Sequence, residues 1–206
     1  MDKKTIMNGM QALSLIDQNI EKAFKELGPP APRMRPRGFE TFLLIIVSQQ
    51  LSTKVATVIM KRVVTLMQCV TPEGLMVVAD QDLRDAGLSW RKIEYAKGLA
   101  AAILDGSFNI DELSSLNNEE AIKAITKLKG FGRWSAEIYL MFSMDRQDIF
   151  PADDLGILIA LGQLKGLTVR PTPKQAREMV SHWTPWRSIG ALFLWQYYHQ
   201  RHSLQK

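Results

Sequence analysis

Two adjacent carboxylates, Asp153 and Asp154, follow Phe150-Pro151-Ala152 and stand directly before the apolar, helix-compatible run that begins Leu155-Gly156. A carboxylate in such a place can stabilise a developing cation and orient or deprotonate an attacking water. It is also, by default, the N-cap of the adjoining helix. Two in succession allow a division of labour, one capping the helix and the other pointing into a cleft. Upstream, Leu128-Lys129-Gly130-Phe131-Gly132-Arg133-Trp134-Ser135-Ala136 sets a Gly-Phe-Gly turn between two apolar runs, 121–128 and 134–144. Glycines there can take positive φ or let another chain come close. The free N–H groups that open the second helix, with its positive dipole end, suit an anion such as a DNA phosphate. The turn alone fits equally well an αα-hairpin with nothing bound.

The elements that must position these groups are helices. Periodic apolar spacing predicts helices near 9–27, 39–51, 53–69, 90–105, 118–128, 133–144, 154–164, 173–183 and 188–200. Ser89 before Trp90-Arg91-Lys92 and Thr172 before Pro173 read as N-caps, and Gly28-Pro29-Pro30-Ala31-Pro32 ends the first helix. No strand hairpin and no repeat of fixed period is found, so the fold class is all-α. With 206 residues, 46% hydrophobic and 23% charged, the chain can bury a sizeable core. A net charge of +5 and a pI near 9.3 suit a polyanion but do not specify one. The single cysteine, Cys69, reads as a small buried hydrophobe; it excludes an internal disulfide and a four-cysteine iron–sulfur cluster. His182, His199 and His202 have no cysteine nearby, so no metal bound by side chains is expected. The N-terminus lacks the apolar core of a signal peptide and no run reaches a membrane span, which predicts a soluble intracellular protein without membrane attachment. Its place would be the cytoplasm, with the nucleoid, in a bacterium, or the nucleus in a eukaryote.

The anion cradle and the carboxylates together point to chemistry on DNA, and five motifs in order carry a family resemblance. They are Ile46-Val47-Ser48-Gln49-Gln50-Leu51-Ser52, Ala86-Gly87-Leu88-Ser89, the hairpin 128–136, Ala152-Asp153-Asp154, and Pro185-Trp186-Arg187-Ser188 through Leu194-Trp195. The chain resembles the helix-hairpin-helix (HhH-GPD) base-excision DNA glycosylases, and within them the DNA-3-methyladenine glycosylase II group. It is similar to the short form, which lacks an additional N-terminal β-rich domain.

The resemblance implies two helical lobes, about 39–150 with the hairpin and 1–38 plus 151–206, with an active-site cleft between them. It implies a monomer that flips alkylated purines of the 3-methyladenine and 7-methylguanine type out of double-stranded DNA and hydrolyses the glycosidic bond. Asp154 matches the essential carboxylate, leaving Asp153 structural. Trp195 matches a base-stacking tryptophan, Trp134 lines the pocket, and Tyr139 and Phe39 are further pocket candidates. A delocalised cation on the damaged base favours electron-rich rings. Core packing is the reading for Trp90, Trp183 and Phe193. Ile138 replaces a pocket tyrosine of some relatives. Bifunctional relatives carry a Schiff-base lysine where this chain has Trp134, so no strand nicking is expected. For DNA contacts the resemblance implies Gly130, Phe131, Gly132, Arg133 and Ser135 of the hairpin, with Lys54. Gln49, Gln50 and Leu51 form an intercalating turn, with Gln50 or Leu51 as the wedge; a plain polar helix–helix turn fits these residues as well. Hairpins of this type often hold Na+ or K+ through backbone carbonyls, here those of Thr126, Leu128 and Phe131; no other cofactor is required. Two alternatives remain open at this point: a glycosylase for oxidised or mismatched bases, and a non-catalytic binder of damaged DNA.

Overall fold

The computed structural model describes residues 1–203, with side chains through Arg201, so the side chain of His202 lies outside the described residues. In chain order the helices are α1 (Lys3–Ile16), α2 (Gln18–Leu27), α3 (Phe39–Ser48), α4 (Thr53–Met67), α5 (Pro72–Met76), α6 (Asp80–Asp85), α7 (Trp90–Leu104), α8 (Asn118–Thr126), α9 (Arg133–Phe142), α10 (Leu155–Leu164), α11 (Pro173–Met179) and α12 (Arg187–Ser203). Two short 3-10 turns, Asp111–Ser114 and Ser181–Trp183, complete the regular structure, and no strand occurs among the described residues. None of the described helices is long and apolar enough to cross a membrane.

The chain divides into two compact units, Met1–Met34 with Leu140–Lys206, and Arg35–Tyr139. In the first, α1 packs on α2 and α12, and α10 on α12. Its interior holds Met10, Leu13, Ile20, Leu161, Ile189 and Phe193, and Phe24 meets Phe193 edge-on at 6.4 Å. In the second, α3 packs on α4 and α7, with α5 and α6 also on α7. There Phe42 is the hub, stacked on Tyr139 at 3.9 Å and edge-on to Phe108 and Phe131, both at 5.5 Å.

Caps explain most boundaries. Ser89 Oγ accepts the Lys92 amide at 3.3 Å, and Thr172 forms a reciprocal capping box with Gln175 ahead of Pro173, as their types predict. The predicted helix 9–27 is instead two helices. Asp17 takes an extended backbone, φ −141°, and its carboxylate accepts the Asn19 and Ile20 amides to cap α2. A second set of partners favours this break: the same side chain, 1% exposed, accepts from Lys165 Nζ at 2.5 Å and Trp183 Nε1 at 2.8 Å.

Helix α4 also stops short of the predicted residue 69, because Gln68 turns left-handed, φ 59°. Cys69 therefore lies past the helix and is exposed, not buried as expected. Trp90 departs from its expected core role too: as the first residue of α7 it is 55% exposed, whereas Trp183 and Phe193 are fully buried. The short helices α5 and α6 carry no periodic signal because five or six residues span too few turns to establish a period.

Candidate active site and anion cradle

Asp154 begins α10 as its N-cap. Its Oδ1 accepts the Ile157 amide at 3.0 Å and also the indole N–H of Trp195, on α12, at 3.1 Å. Two donors converging on one oxygen fix the carboxyl group against rotation. Gly156 leaves it room, since a Cβ there would lie 3.2 Å from the same oxygen. The division of labour expected within the Asp pair is thus corrected. Asp154 is itself the cap, while Asp153 reaches outward to Arg177, 2.9 Å away.

Trp195 is half-buried, its ring 5.7 Å from that of Phe142 at an angle of 33°. Above these rings sits Arg33, a residue to which no sequence motif points. Its guanidinium carbon lies 4.8 Å from the Phe142 centroid and 5.9 Å from that of Trp195. Desolvation of this group pushes its pKa below the ordinary arginine value, opposed by the negative charge of Asp154. The first unit therefore brings together a fixed carboxylate, an electron-rich indole and a cation resting on the rings.

In the second unit the hairpin connects α8 to α9. Gly130 is left-handed, φ 89°, and a Cβ on it would meet the Tyr95 ring at 2.2 Å, so both backbone and space require glycine. Gly132 is different: it is exposed with open space around its Cα, and its carbonyl accepts the Ala136 amide at 3.2 Å as α9 begins. That open face at the start of α9 is where an anion can approach the backbone N–H groups. Phe131 and Ser135 are buried, 5% and 4% exposed, so their side chains serve packing.

Arg133 is committed to carboxylates. It makes a two-pronged pair with Glu119, at 3.0 and 2.5 Å, and its Nε donates to the buried Glu137 at 2.9 Å; Glu119 foremost raises its pKa. An anion approaching the hairpin would thus meet backbone N–H groups more than this side chain, which is already paired.

The turn between α3 and α4 is tied to the hairpin. Gln49 Nε2 donates to the Gly130 carbonyl at 2.8 Å, and Lys92 Nζ donates to the Val47 carbonyl at 2.8 Å. Burial lowers the pKa of that lysine. Gln50, left-handed at φ 58°, is exposed at the tip beside Leu51, 38% exposed, and Lys54 is exposed one helical turn on. Gln49, Gln50, Lys92, Gly132, Trp134 and Ser135 line one depression of about 390 Å³. Trp134 is half-buried within it.

Two aromatic candidates lie elsewhere. Tyr139 is 1% exposed, stacked on Phe42, with its hydroxyl accepting the Gly38 amide at 3.1 Å; Phe39 is 7% exposed. Both are core residues of the second unit instead of open ring faces. The carbonyl set for a monovalent cation is chemically suitable. Thr126 closes α8 at its negative dipole end, and the Leu128 carbonyl, which accepts the Phe131 amide at 3.1 Å, keeps a second lone pair.

Comparison with known proteins places the chain in a family. Residues 43–185 match the family model of the HhH-GPD superfamily base excision DNA repair proteins. The chain is 33% identical over 191 residues to DNA-3-methyladenine glycosylase 1 of Schizosaccharomyces pombe, covering 89% of this chain and 84% of that one. It is 28% identical to DNA-3-methyladenine glycosylase 2 of Escherichia coli, over 86% of this chain and 65% of the relative. Among solved structures, the S. pombe 3-methyladenine DNA glycosylase in complex with abasic DNA superposes with a TM-score of 0.84 at 32% identity, covering 92% of this chain and 95% of that chain. A DNA-3-methyladenine glycosidase from Bacillus halodurans also gives 0.84, at 29% identity, over 95% and 91% of the two chains. By sequence and by fold, the chain belongs to the HhH-GPD superfamily of base excision DNA repair proteins.

Proposed function

We propose that this protein is a monofunctional DNA glycosylase that excises alkylated purines from double-stranded DNA and leaves an abasic site. The observation that carries the reading is the hydrogen bond of Trp195 to Asp154, which holds an electron-rich ring beside a fixed carboxylate. A purine methylated at N3 or N7 is a cation with a weakened glycosidic bond, and it stacks well on such a ring. As the bond breaks, its electron pair leaves with the base and the sugar becomes oxocarbenium-like. The Asp154 carboxylate stabilises that charge and orients the water that adds at C1′, whose proton passes to the carboxylate or to solvent.

The base must first leave the stack, at a cost of a few kcal/mol. The exposed tip at Gln50 and Leu51 is suited to fill the vacated space, and Gln49 ties that tip to the hairpin. The start of α9 holds a backbone phosphate. A Na+ or K+ on the Thr126, Leu128 and Phe131 carbonyls would add positive charge for the same phosphate. With a tryptophan at 134 in place of an amine, no Schiff base forms. The names of the relatives, DNA-3-methyladenine glycosylases of a yeast and a bacterium, support the alkylated-purine substrate class.

The test is to incubate the protein with duplex DNA methylated at random and identify the free bases by chromatography. Release of 3-methyladenine and 7-methylguanine is expected. Release of oxidised bases alone, or of none, contradicts the reading.

A further inference from the structure

Arg33 lies in the segment Gly28-Pro29-Pro30-Ala31-Pro32-Arg33, which leaves the end of α2 and belongs to the first unit. The start of this segment is fixed. Gln196 Nε2 donates to the carbonyls of Leu27 at 2.9 Å and Gly28 at 3.3 Å, and Pro30 is buried. Gln196 is the residue after Trp195, so one turn of α12 both presents the indole and anchors the segment that covers it. Pro29, Pro30 and Pro32 stiffen the backbone leading to Arg33. Arg33 itself is exposed as a residue, yet its guanidinium rests on the rings of Phe142 and Trp195, at 4.8 and 5.9 Å, within the field of Asp154.

Within this unit the ring faces of Phe142 and Trp195 beside Asp154, which would attract a cationic base, already hold a cation. A planar guanidinium and a methylated purinium use the same ring face by cation–π attraction, and the same carboxylate by charge. Both cannot occupy the Trp195 face together. A purine without charge gains stacking there but forfeits the cation–π and ionic contributions that Arg33 already enjoys.

We propose that Arg33 is a specificity-determining residue, an intramolecular occupant of the Trp195 face that a cationic base displaces and a neutral purine does not. Entry of a cationic base exchanges one positive charge for another beside Asp154. Entry of a neutral base leaves the carboxylate facing an unreplaced charge, so occupancy of the site by neutral bases stays low. Because Arg33 is exposed as a residue, its guanidinium can swing off the rings toward solvent and DNA phosphate when displaced.

This inference rests on the assignment of Asp154 and Trp195 as the excision site, and the test separates the two. Single-turnover release, with enzyme in saturating excess, is measured on duplexes carrying one 7-methylguanine (cationic as the nucleoside) or one hypoxanthine (neutral). Wild type, Arg33→Met and Arg33→Lys are compared, methionine keeping an unbranched stem without charge and lysine keeping the cation. Hypoxanthine release should rise about fivefold to tenfold in Arg33→Met, the scale of one lost cation–π competitor. Release of 7-methylguanine should change less than twofold, because its occupancy is already high, and Arg33→Lys should stay close to wild type on both. Unchanged or slower hypoxanthine release in Arg33→Met overturns the proposal, as does an equal rise for both bases, or a rise in Arg33→Lys matching that of Arg33→Met. Each of those results leaves the glycosylase assignment standing. Wild type that releases neither base sinks both.

Discussion

The indole N–H of Trp195 and the amide N–H of Ile157 meet on a single oxygen of Asp154, at 3.1 and 3.0 Å. The helix cap and the catalytic candidate are therefore the same carboxylate. A group that held only the helix would not need a tryptophan from α12, and a group that only faced substrate would not be locked by the helix it begins. Capping fixes the orientation of the charge to which the proposed chemistry is assigned.

The two hairpin glycines should respond differently to substitution. Gly130→Ala forces a Cβ against the Tyr95 ring in a left-handed backbone, which should cost about 1–3 kcal/mol in stability. Gly132→Ala meets open space and should fold normally. Gly132→Asp should also fold, yet lower affinity for damaged and undamaged duplexes alike by about tenfold, through repulsion of the phosphate. Thermal unfolding and DNA titration at fixed salt check these outcomes; normal DNA binding by Gly132→Asp contradicts the anion cradle.

Asp17 should be a keystone of the first unit. Burial works to raise its pKa, but hydrogen bonds from Lys165 and Trp183 outweigh that and hold it below the ordinary 3.8. A depressed carboxylate contributes stability that is complete above its unfolded value and is lost as pH falls from about 3.8 through the lowered folded value. Asp17→Asn should cost about 3 kcal/mol near neutral pH by leaving Lys165 without its counter-charge, and should flatten the acid limb of the stability curve. Denaturant unfolding between pH 2 and 7 reads both effects.

Much of the fold and site is legible in the sequence, for reasons particular residues make clear. The N-caps at Ser89 and Thr172 announce themselves because capping is local chemistry, decided within four residues. The hairpin is legible because only glycine satisfies the Gly130 backbone. The break at Asp17 is not, since its partners Lys165 and Trp183 lie far along the chain and their pull overrides an apolar period that runs through it. Arg33 is invisible for a related reason: an arginine in a proline-rich segment has no period to betray it, and only the fold sets its guanidinium on Trp195. Arg133 is legible as a basic residue at the turn, but not as one already claimed by Glu119 and Glu137.

The absence of an amine at position 134 should show directly in the reaction products. Duplexes treated with the protein should remain uncut until alkali is added, and borohydride trapping should yield no protein–DNA adduct. An adduct that persists on purified protein contradicts the monofunctional route.

The most direct measurement compares Asp154→Asn with Asp153→Asn in single-turnover base release from methylated duplex DNA. Asparagine at 154 keeps an oxygen for the Ile157 amide and the Trp195 indole while deleting the charge, so folding and DNA binding should persist and base release should fall by roughly 10² or more. Asp153→Asn loses only an exposed pair with Arg177 and should remain close to wild type. An inactive Asp153→Asn beside a normal Asp154→Asn, or full activity in both, contradicts the assignment of Asp154 as the group that breaks the glycosidic bond.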